Sequence, residues 1–178
     1  MQEHKIEIKL PTDAAADIAL ALIAPELPKR MLYFVDYFKT LGVDYVFDPG
    51  QSLPTLTATE LKILIDNSIG TIVNEYESEM LMKKIGLDLP AIAEKSGFLI
   101  RTLSERGCEY FKNGERVLVP AVPGITVVDV TGTGDAFRAG FLHGFVNGLA
   151  FDKACAMGNV AASFALEFDG TQKHNFIP

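Results

Sequence analysis

The sequence contains few cysteines, no excess of basic residues and no long apolar run, and each shortage excludes a class of protein. Its two cysteines, Cys108 and Cys155, are too few for a disulfide framework and lack the spacing of a metal site. The net charge of −7 argues against a nucleic-acid-binding surface, which needs a basic patch. The longest apolar run, near residues 18–24, is too short to span a bilayer, and the alternating N-terminus is unlike a signal peptide. We therefore expect a cytoplasmic, soluble protein that binds neither nucleic acid nor membrane.

Strand-like and helix-like segments alternate along the chain, which is 48% hydrophobic and so has enough apolar side chains for a sizeable core. Apolar or alternating segments predict strands at 5–10, 17–24, 43–47, 69–73 and 98–103. Helical spacing predicts helices at 29–41, from 57 onwards, at 74–84, at about 132–149 and at about 152–167, and Asn113-Gly114 predicts a hairpin. The alternation indicates an α/β fold, an open and mostly parallel sheet with helices on both faces. We expect one α/β domain over residues 17–178, preceded by a leader or remnant strand over 1–16.

Four polar or glycine residues follow predicted strand ends, namely Asp48, Asn74, Thr102 and Gly132. In open α/β sheets, ligands bind beyond the carboxyl ends of the strands. The coincidence predicts a ligand site at this edge of the sheet.

The stretch DVTGTGDAF, residues 129–137, places a glycine-rich turn at the start of a predicted helix. The backbone N–H groups of Gly132, Thr133 and Gly134, together with the helix dipole, would suit a phosphate group. Asp135 in the first helical turn could accept a proton from an attacking hydroxyl. The alternative is a tight turn in which Asp135 only complements the dipole. A GxGxxG fingerprint would need glycine in place of Phe137, and the lysine of a P-loop is absent.

The segment DVTGTGDAFRAGF resembles the D-T-x-G-A-G-D signature of the ribokinase-like (pfkB) carbohydrate and nucleoside kinases, and FDPGQ at residues 47–51 resembles their adenosine and nucleoside kinase branch. The resemblance implies that Asp135 is the catalytic base for a substrate hydroxyl. It also implies that the amides of Gly132, Thr133 and Gly134 form the anion hole for the transferring phosphoryl group. ATP and Mg²⁺ would be the cofactors, and a small sugar or nucleoside the acceptor. Val130 and Thr133 depart from the usual threonine and alanine, but neither change removes a backbone amide or the base.

NEYE, residues 74–77, matches the N-x-x-E motif of this family. The resemblance implies that Asn74 and Glu77 help to place Mg²⁺ and the phosphates, with Glu77 acting mainly through ordered water. The same spacing is typical of a helix capping box, and one pair of residues could serve both roles.

Three further matches complete the site implied by the resemblance. TLSERG, with Thr102, Ser104 and Gly107, resembles a T-L-G-x-x-G turn near the nucleotide, although Ser104 stands where glycine is usual. Asn159 matches a position near the adenine, its alternative being a plain interhelical polar residue. Asp129 and Gly170 match a site for a monovalent cation, which implies possible K⁺ dependence.

The resemblance extends from about residue 17 onwards and matches only the C-terminal part of a complete family member. The Gly-Gly motif, most sugar contacts and the lid strands of the N-terminal segment are not visible here. A sheet lacking those strands would expose an apolar edge, so we expect self-association or a partner chain. Two functions remain open: a sugar or nucleoside kinase, or a truncated, non-catalytic nucleotide-binding or interaction module derived from one.

Overall fold

A six-stranded sheet forms the centre of the computed structural model, which describes residues 17–171. The strands lie in sequence order: β1 (Ala21–Ile23), β2 (Tyr45–Phe47), β3 (Gly70–Asn74), β4 (Phe98–Thr102), β5 (Cys108–Lys112) and β6 (Glu115–Val119). β1 to β4 pair in parallel, whereas β4–β5 and β5–β6 pair antiparallel. The predicted α/β class with a mostly parallel sheet is therefore confirmed.

Helices cover both faces of this sheet. They are α1 (Pro28–Leu41), α2 (Ala58–Asp66), α3 (Glu75–Ile85), α4 (Leu89–Ser96), α5 (Thr133–Val146) and α6 (Phe151–Leu166). Buried side chains of α1 to α4 form one apolar cluster with the sheet, and those of α5 and α6 form a second. Among residues 17–171, no helix is long and apolar enough to cross a membrane.

Close approach between α5 and α6 depends on two glycines of α5. A Cβ on Gly140 would lie 2.7 Å from the carbonyl oxygen of Met157, and one on Gly144 would lie 3.1 Å from the Cα of Ala154. These glycines allow the helix backbones to approach each other. This packing positions the first turn of α5 beside the carboxyl ends of β3 and β4.

Local sequence signals account for several element boundaries. Thr57 with Glu60, and Asn74 with Glu77, form complete capping boxes at the starts of α2 and α3. Asn113 and Gly114 both adopt positive φ, 52° and 78°, as the two central residues of a type I′ hairpin turn do. These predictions from the sequence are confirmed.

Other elements differ from the prediction. Helix α4 was not expected; Asp88 caps it by accepting a hydrogen bond from the Ala91 N–H, and Pro90 occupies its first turn, where its missing N–H costs nothing. The first strand is shorter than residues 17–24, because only Ala21–Ile23 have a partner in β2. The strand predicted at residues 5–10, and with it the leader at 1–16, lies outside the described residues.

Candidate active site

A cavity of about 660 Å³ lies beyond the carboxyl ends of β3 and β4, against the start of α5. Seven of the residues singled out in the sequence line it: Asn74, Thr102, Ser104, Gly107, Thr133, Gly134 and Asn159. Apolar side chains, including Ile125, Phe137 and Leu166, form much of its remaining wall. A mostly apolar pocket with a few polar groups is typical of a cofactor site. Glu77, Asp129, Gly132, Asp135 and Gly170 do not line it.

The GTG turn directs free backbone donors outwards at the start of α5. Gly132 has a φ of 79° and its carbonyl accepts the first helical hydrogen bond, from the Ala136 N–H at 2.9 Å. The Thr133 N–H donates to the Val130 carbonyl at 3.3 Å, so this amide already has an acceptor. Within residues 17–171, the amides of Gly134 and Asp135 have no backbone acceptor, as the geometry of a helix start requires. The turn can therefore bind an anion through the amides that lack an acceptor.

Asp135 lies on the open side of this turn, with 88% of its side chain exposed. Its Oδ1 lies 3.4 Å from Nη1 of Arg138, one helical turn further along α5. Nε of Arg138 lies 2.5 Å from Oδ2 of Asp48, a buried carboxylate that directly follows β2. Burial raises the pKa of Asp48 to about 6, although the nearby Arg138 charge opposes that rise. Asp48, Arg138 and Asp135 thus form a series of ionic contacts that runs from the buried end of β2 to the turn at the start of α5.

Asn74 and Glu77 form a reciprocal pair at the start of α3. The Asn74 side-chain oxygen accepts from the Glu77 N–H at 2.8 Å, and Glu77 Oε2 accepts from the Asn74 N–H at 2.9 Å. The capping role is therefore real, and it leaves the second carboxylate oxygen of Glu77 for another partner. Among residues 17–171, no group of three His, Cys, Asp or Glu side chains could hold a metal ion. A magnesium ion at Glu77 would need oxygens from water and phosphate as well, which suits the coordination habits of Mg²⁺.

The turn after β4 brings the backbone close to the cavity. The Leu103 N–H donates to the Gly107 carbonyl at 2.7 Å and closes the turn. Ser104 has a φ of 54°, so it adopts the left-handed conformation that favours glycine, the residue usual in the family pattern. Gly107 has a φ of 91°, and a Cβ there would lie 2.3 Å from the Val119 carbonyl oxygen.

Asn159 links helix α6 to the end of β6. Its side-chain nitrogen donates to the carbonyls of Val119 and Pro120, at 3.1 and 2.9 Å. Asn159 therefore holds the chain segment that continues into the cavity wall, and its amide nitrogen is already engaged.

Asp129 and Gly170 are in direct contact. Asp129 Oδ1 accepts from the Thr131 N–H at 2.9 Å, and Oδ2 accepts from the Gly170 N–H at 3.0 Å. These bonds, that of Thr131 first, lower the pKa of the Asp129 carboxyl. The structure thus brings together the two residues matched to a cation site, through an amide of Gly170.

The ion pair between Asp48 and Arg138 was not anticipated from the sequence. In the sequence, Asp48 is a residue that follows a predicted strand and belongs to FDPGQ, and Arg138 belongs to DVTGTGDAFRAGF, with nothing that pairs the two. The signals for a pair lay in two separate motifs, on β2 and on α5. Only the packing of α5 against the sheet brings them together.

A family model described as pfkB family carbohydrate kinase matches residues 4–176. The chain therefore belongs to the pfkB family, as the GTGD segment indicated.

Nucleoside kinases are among its relatives. A nucleoside kinase from Methanocaldococcus jannaschii is 31% identical over 126 residues, which cover 71% of this chain and 42% of that protein. The structure of Burkholderia thailandensis nucleoside kinase in complex with inosine has a TM-score of 0.87 and 31% identity, over 92% of this chain and 55% of that one. The same kinase with ADP and inosine gives the same TM-score and identity. The chain spans about half the length of the relatives it matches.

Proposed function

We propose that the chain is the nucleotide-binding and phosphate-binding portion of an ATP-dependent kinase that phosphorylates a hydroxyl of a nucleoside or sugar. The observation that carries the proposal is the turn at the start of α5. There, free backbone amides and the carboxylate of Asp135 adjoin a cavity lined by seven residues of the family pattern. Phosphoryl transfer needs mainly positioning and charge neutralisation, which such a turn supplies.

In this proposal, Asp135 takes the proton of the acceptor hydroxyl as the oxygen attacks the γ-phosphorus of ATP. The bond from that phosphorus to the β–γ bridging oxygen breaks, and ADP leaves. The amides of the Gly132-Thr133-Gly134 turn stabilise charge on the transferring group, chiefly those of Gly132 and Gly134, because the Thr133 amide already donates to the Val130 carbonyl. Glu77, next to Asn74, would hold Mg²⁺ through water molecules. Mg²⁺ would supply charge neutralisation on the phosphates when bound.

The remaining residues serve the nucleotide and the turn. Thr102, Ser104 and Gly107 form the cavity wall on the β4 side, and Asn159 holds the segment opposite. Asp129 accepts hydrogen bonds from the N–H groups of Thr131, which precedes the turn, and of Gly170. We propose that K⁺ binds at this contact between Asp129 and Gly170. The location in the cytoplasm also stays a prediction.

A nucleoside is the acceptor we favour. Nucleoside kinases recur among the relatives, and one of them is described in complex with inosine and with ADP and inosine. The segment FDPGQ, which resembles the nucleoside branch, contributes the Asp48 that contacts Arg138 beside Asp135.

The second candidate is a non-catalytic nucleotide-binding module. It is favoured by the exposure of Asp135, 88%, since no part of residues 17–171 covers the acceptor side of the turn. The two candidates share ATP binding and differ in turnover.

The test measures ADP release from magnesium ATP with inosine, adenosine, ribose and fructose as acceptors. Asp135→Asn should lower kcat at least about 100-fold, because general bases contribute on the order of 10²–10⁴. Asp88→Asn is the matched control: it alters an exposed carboxylate that caps α4, and asparagine caps equally well. Calorimetry of ATP binding accompanies the assay. ATP binding without turnover would reject the kinase and support the module, whereas neither binding nor turnover would reject both.

A further inference from the structure

We propose that Arg138, held by the buried Asp48, is a positioning residue that orients the carboxylate of Asp135 at the phosphate-binding turn. The inference rests on the proposed function and adds to it two residues that the family signature does not assign. The observation behind the inference is that the Arg138 guanidinium contacts the carboxylates of Asp48 and Asp135 and lies against Gly134 of the turn.

The guanidinium of Arg138 lies directly against the turn. A Cβ built on Gly134 would lie 2.7 Å from Nη1 of Arg138, so the glycine leaves the space that the arginine fills. The same Nη1 lies 3.4 Å from Oδ1 of Asp135. Gly134 therefore exposes its amide and, at the same position, lets Arg138 reach the base.

Asp48 fixes the other end of the guanidinium. Its side chain is 2% exposed, and that of Arg138 is 15% exposed, so the pair is largely removed from water. Oδ2 of Asp48 contacts Nε of Arg138, whereas Oδ1 of Asp48 has no hydrogen-bond partner among residues 17–171. Buried polar groups are almost always hydrogen-bonded, so an unpaired carboxylate oxygen in the core calls for an explanation. An ion pair kept at this cost is poorly explained by stability alone, because buried pairs are weak stabilisers.

The positioning effect follows from the exposure of Asp135. An 88% exposed aspartate samples several rotamers, and only some of them place an oxygen beside the turn. A contact from Arg138 to Oδ1 restricts that sampling and leaves Oδ2 to accept the proton of the acceptor hydroxyl. The present 3.4 Å separation is long for a hydrogen bond, and catalytic bonds of this kind shorten when substrates bind.

The experiment compares Arg138→Met, Arg138→Lys and the double variant Asp48→Asn/Arg138→Met in steady-state phosphorylation of the acceptor that the wild type uses. We expect Arg138→Met to lower kcat about 10- to 100-fold with less than a threefold change in the KM for ATP, as loss of orientation predicts. Arg138→Lys should recover part of the rate, because an ammonium retains the charge but not the two-sided reach of the guanidinium. Arg116→Met is the matched control, since Arg116 also pairs with a buried carboxylate, Glu109, but lies on β6 away from the turn.

The double variant separates positioning from folding. Arg138→Met alone leaves a buried carboxylate without its partner and is expected to lower the unfolding temperature, whereas the double variant removes both charges and should regain most of that loss. A positioning role predicts that kcat stays low in the double variant although its stability returns. Recovery of kcat together with stability would overturn the inference, and so would an Arg138→Met kcat equal to that of Arg116→Met.

The same measurements distinguish failure of the positioning role of Arg138 from failure of the proposed kinase activity. An active wild type with unaffected Arg138 variants would reject the positioning role and leave the kinase standing. A wild type that binds ATP but transfers no phosphoryl group would reject the kinase and the positioning role together.

Discussion

Gly107, at the end of the turn after β4, has backbone angles of φ 91° and ψ −123°. Its carbonyl accepts a hydrogen bond from the Leu103 N–H, which closes the turn. We expect Gly107→Ala to lower the free energy of unfolding by about 2–4 kcal/mol. Positive φ combined with this ψ is sparsely populated by L-residues and costs about 1–3 kcal/mol, and overpacking typically costs about 1–3 kcal/mol. The added methyl group would lie 2.3 Å from the Val119 carbonyl oxygen, which belongs to backbone and cannot rotate away. Urea unfolding followed by circular dichroism measures the loss.

Gly114 provides the control at a position of similar φ. It has a φ of 78° in the β5–β6 hairpin, with open space around a built Cβ. Gly114→Ala should therefore carry only the conformational cost, about 1–2 kcal/mol. Equal losses in the two variants would show that the close approach at Gly107 is not what constrains it.

Asp48 makes the stability of the chain depend on pH in an uncommon direction. Its pKa is raised from 3.8 to about 6, chiefly by burial, so the folded state binds this proton more tightly than the unfolded state does. Protonation of Asp48 then stabilises the fold, and this contribution is lost as the pH rises from about 4 to about 6. The shift corresponds to roughly 3 kcal/mol across that window.

The Asp48→Asn variant isolates this titration. We expect the free energy of unfolding of the wild type, minus that of the variant, to fall by about 2–3 kcal/mol between pH 4 and pH 7. Denaturant unfolding at a series of pH values measures that difference, in which the other carboxylates cancel. A difference that grows with pH would mean that the Arg138 charge outweighs burial.

At the scale of elements, helix α3 begins with a pair that has two proposed roles, and one substitution can separate them. Glu77→Gln keeps an amide oxygen for the capping box but removes the charge proposed to act on Mg²⁺. We expect stability to fall by less than about 1 kcal/mol, the size of a helix-dipole effect. The Mg²⁺ concentration for half-maximal turnover should rise about 10-fold or more, as for other outer ligands of metal sites.

Glu60 at the start of α2 offers a matched comparison. It forms the same capping box with Thr57, and it does not line the cavity. Glu60→Gln should change stability by a similar amount and leave the Mg²⁺ requirement unaltered. If Glu77→Gln also leaves the Mg²⁺ requirement unchanged, Glu77 only caps helix α3 and has no role in Mg²⁺ binding.

The elements also show which features a sequence can reveal. Caps and turns such as Thr57-Glu60 and Asn113-Gly114 depend on neighbours within a few residues, and they were predicted correctly. Helix α4 was missed because it has only eight residues, so its apolar spacing covers little more than two helical turns. Arg138 was missed because its partner Asp48 is distant in the sequence, and only tertiary packing of α5 joins them.

At the scale of the whole molecule, the edge strand β1 has no neighbour on one side in the part of the chain that the structure describes. Its backbone bonds to β2 run from the Ala21 N–H to Asp44 and from the Asp48 N–H to the Ile23 carbonyl. Because backbone direction alternates along a strand, the N–H and carbonyl of Leu22 point away from β2. Within residues 17–171, no strand lies on that side of β1. An unpaired edge is a template for another chain.

We predict that the chain associates with a second copy, or with another chain, through β1. Leu22→Pro removes the outward N–H without removing any bond to β2, and Leu22→Val keeps that N–H on a β-branched residue. The wild type and Leu22→Val should sediment as dimers or larger species at tens of micromolar, and Leu22→Pro should shift towards the monomer. Circular dichroism checks that all three remain folded. If all three proteins sediment alike, β1 is not the contact between chains. The exposed valines beside the phosphate-binding turn, Val127, Val128 and Val130, would then be the next surface to test.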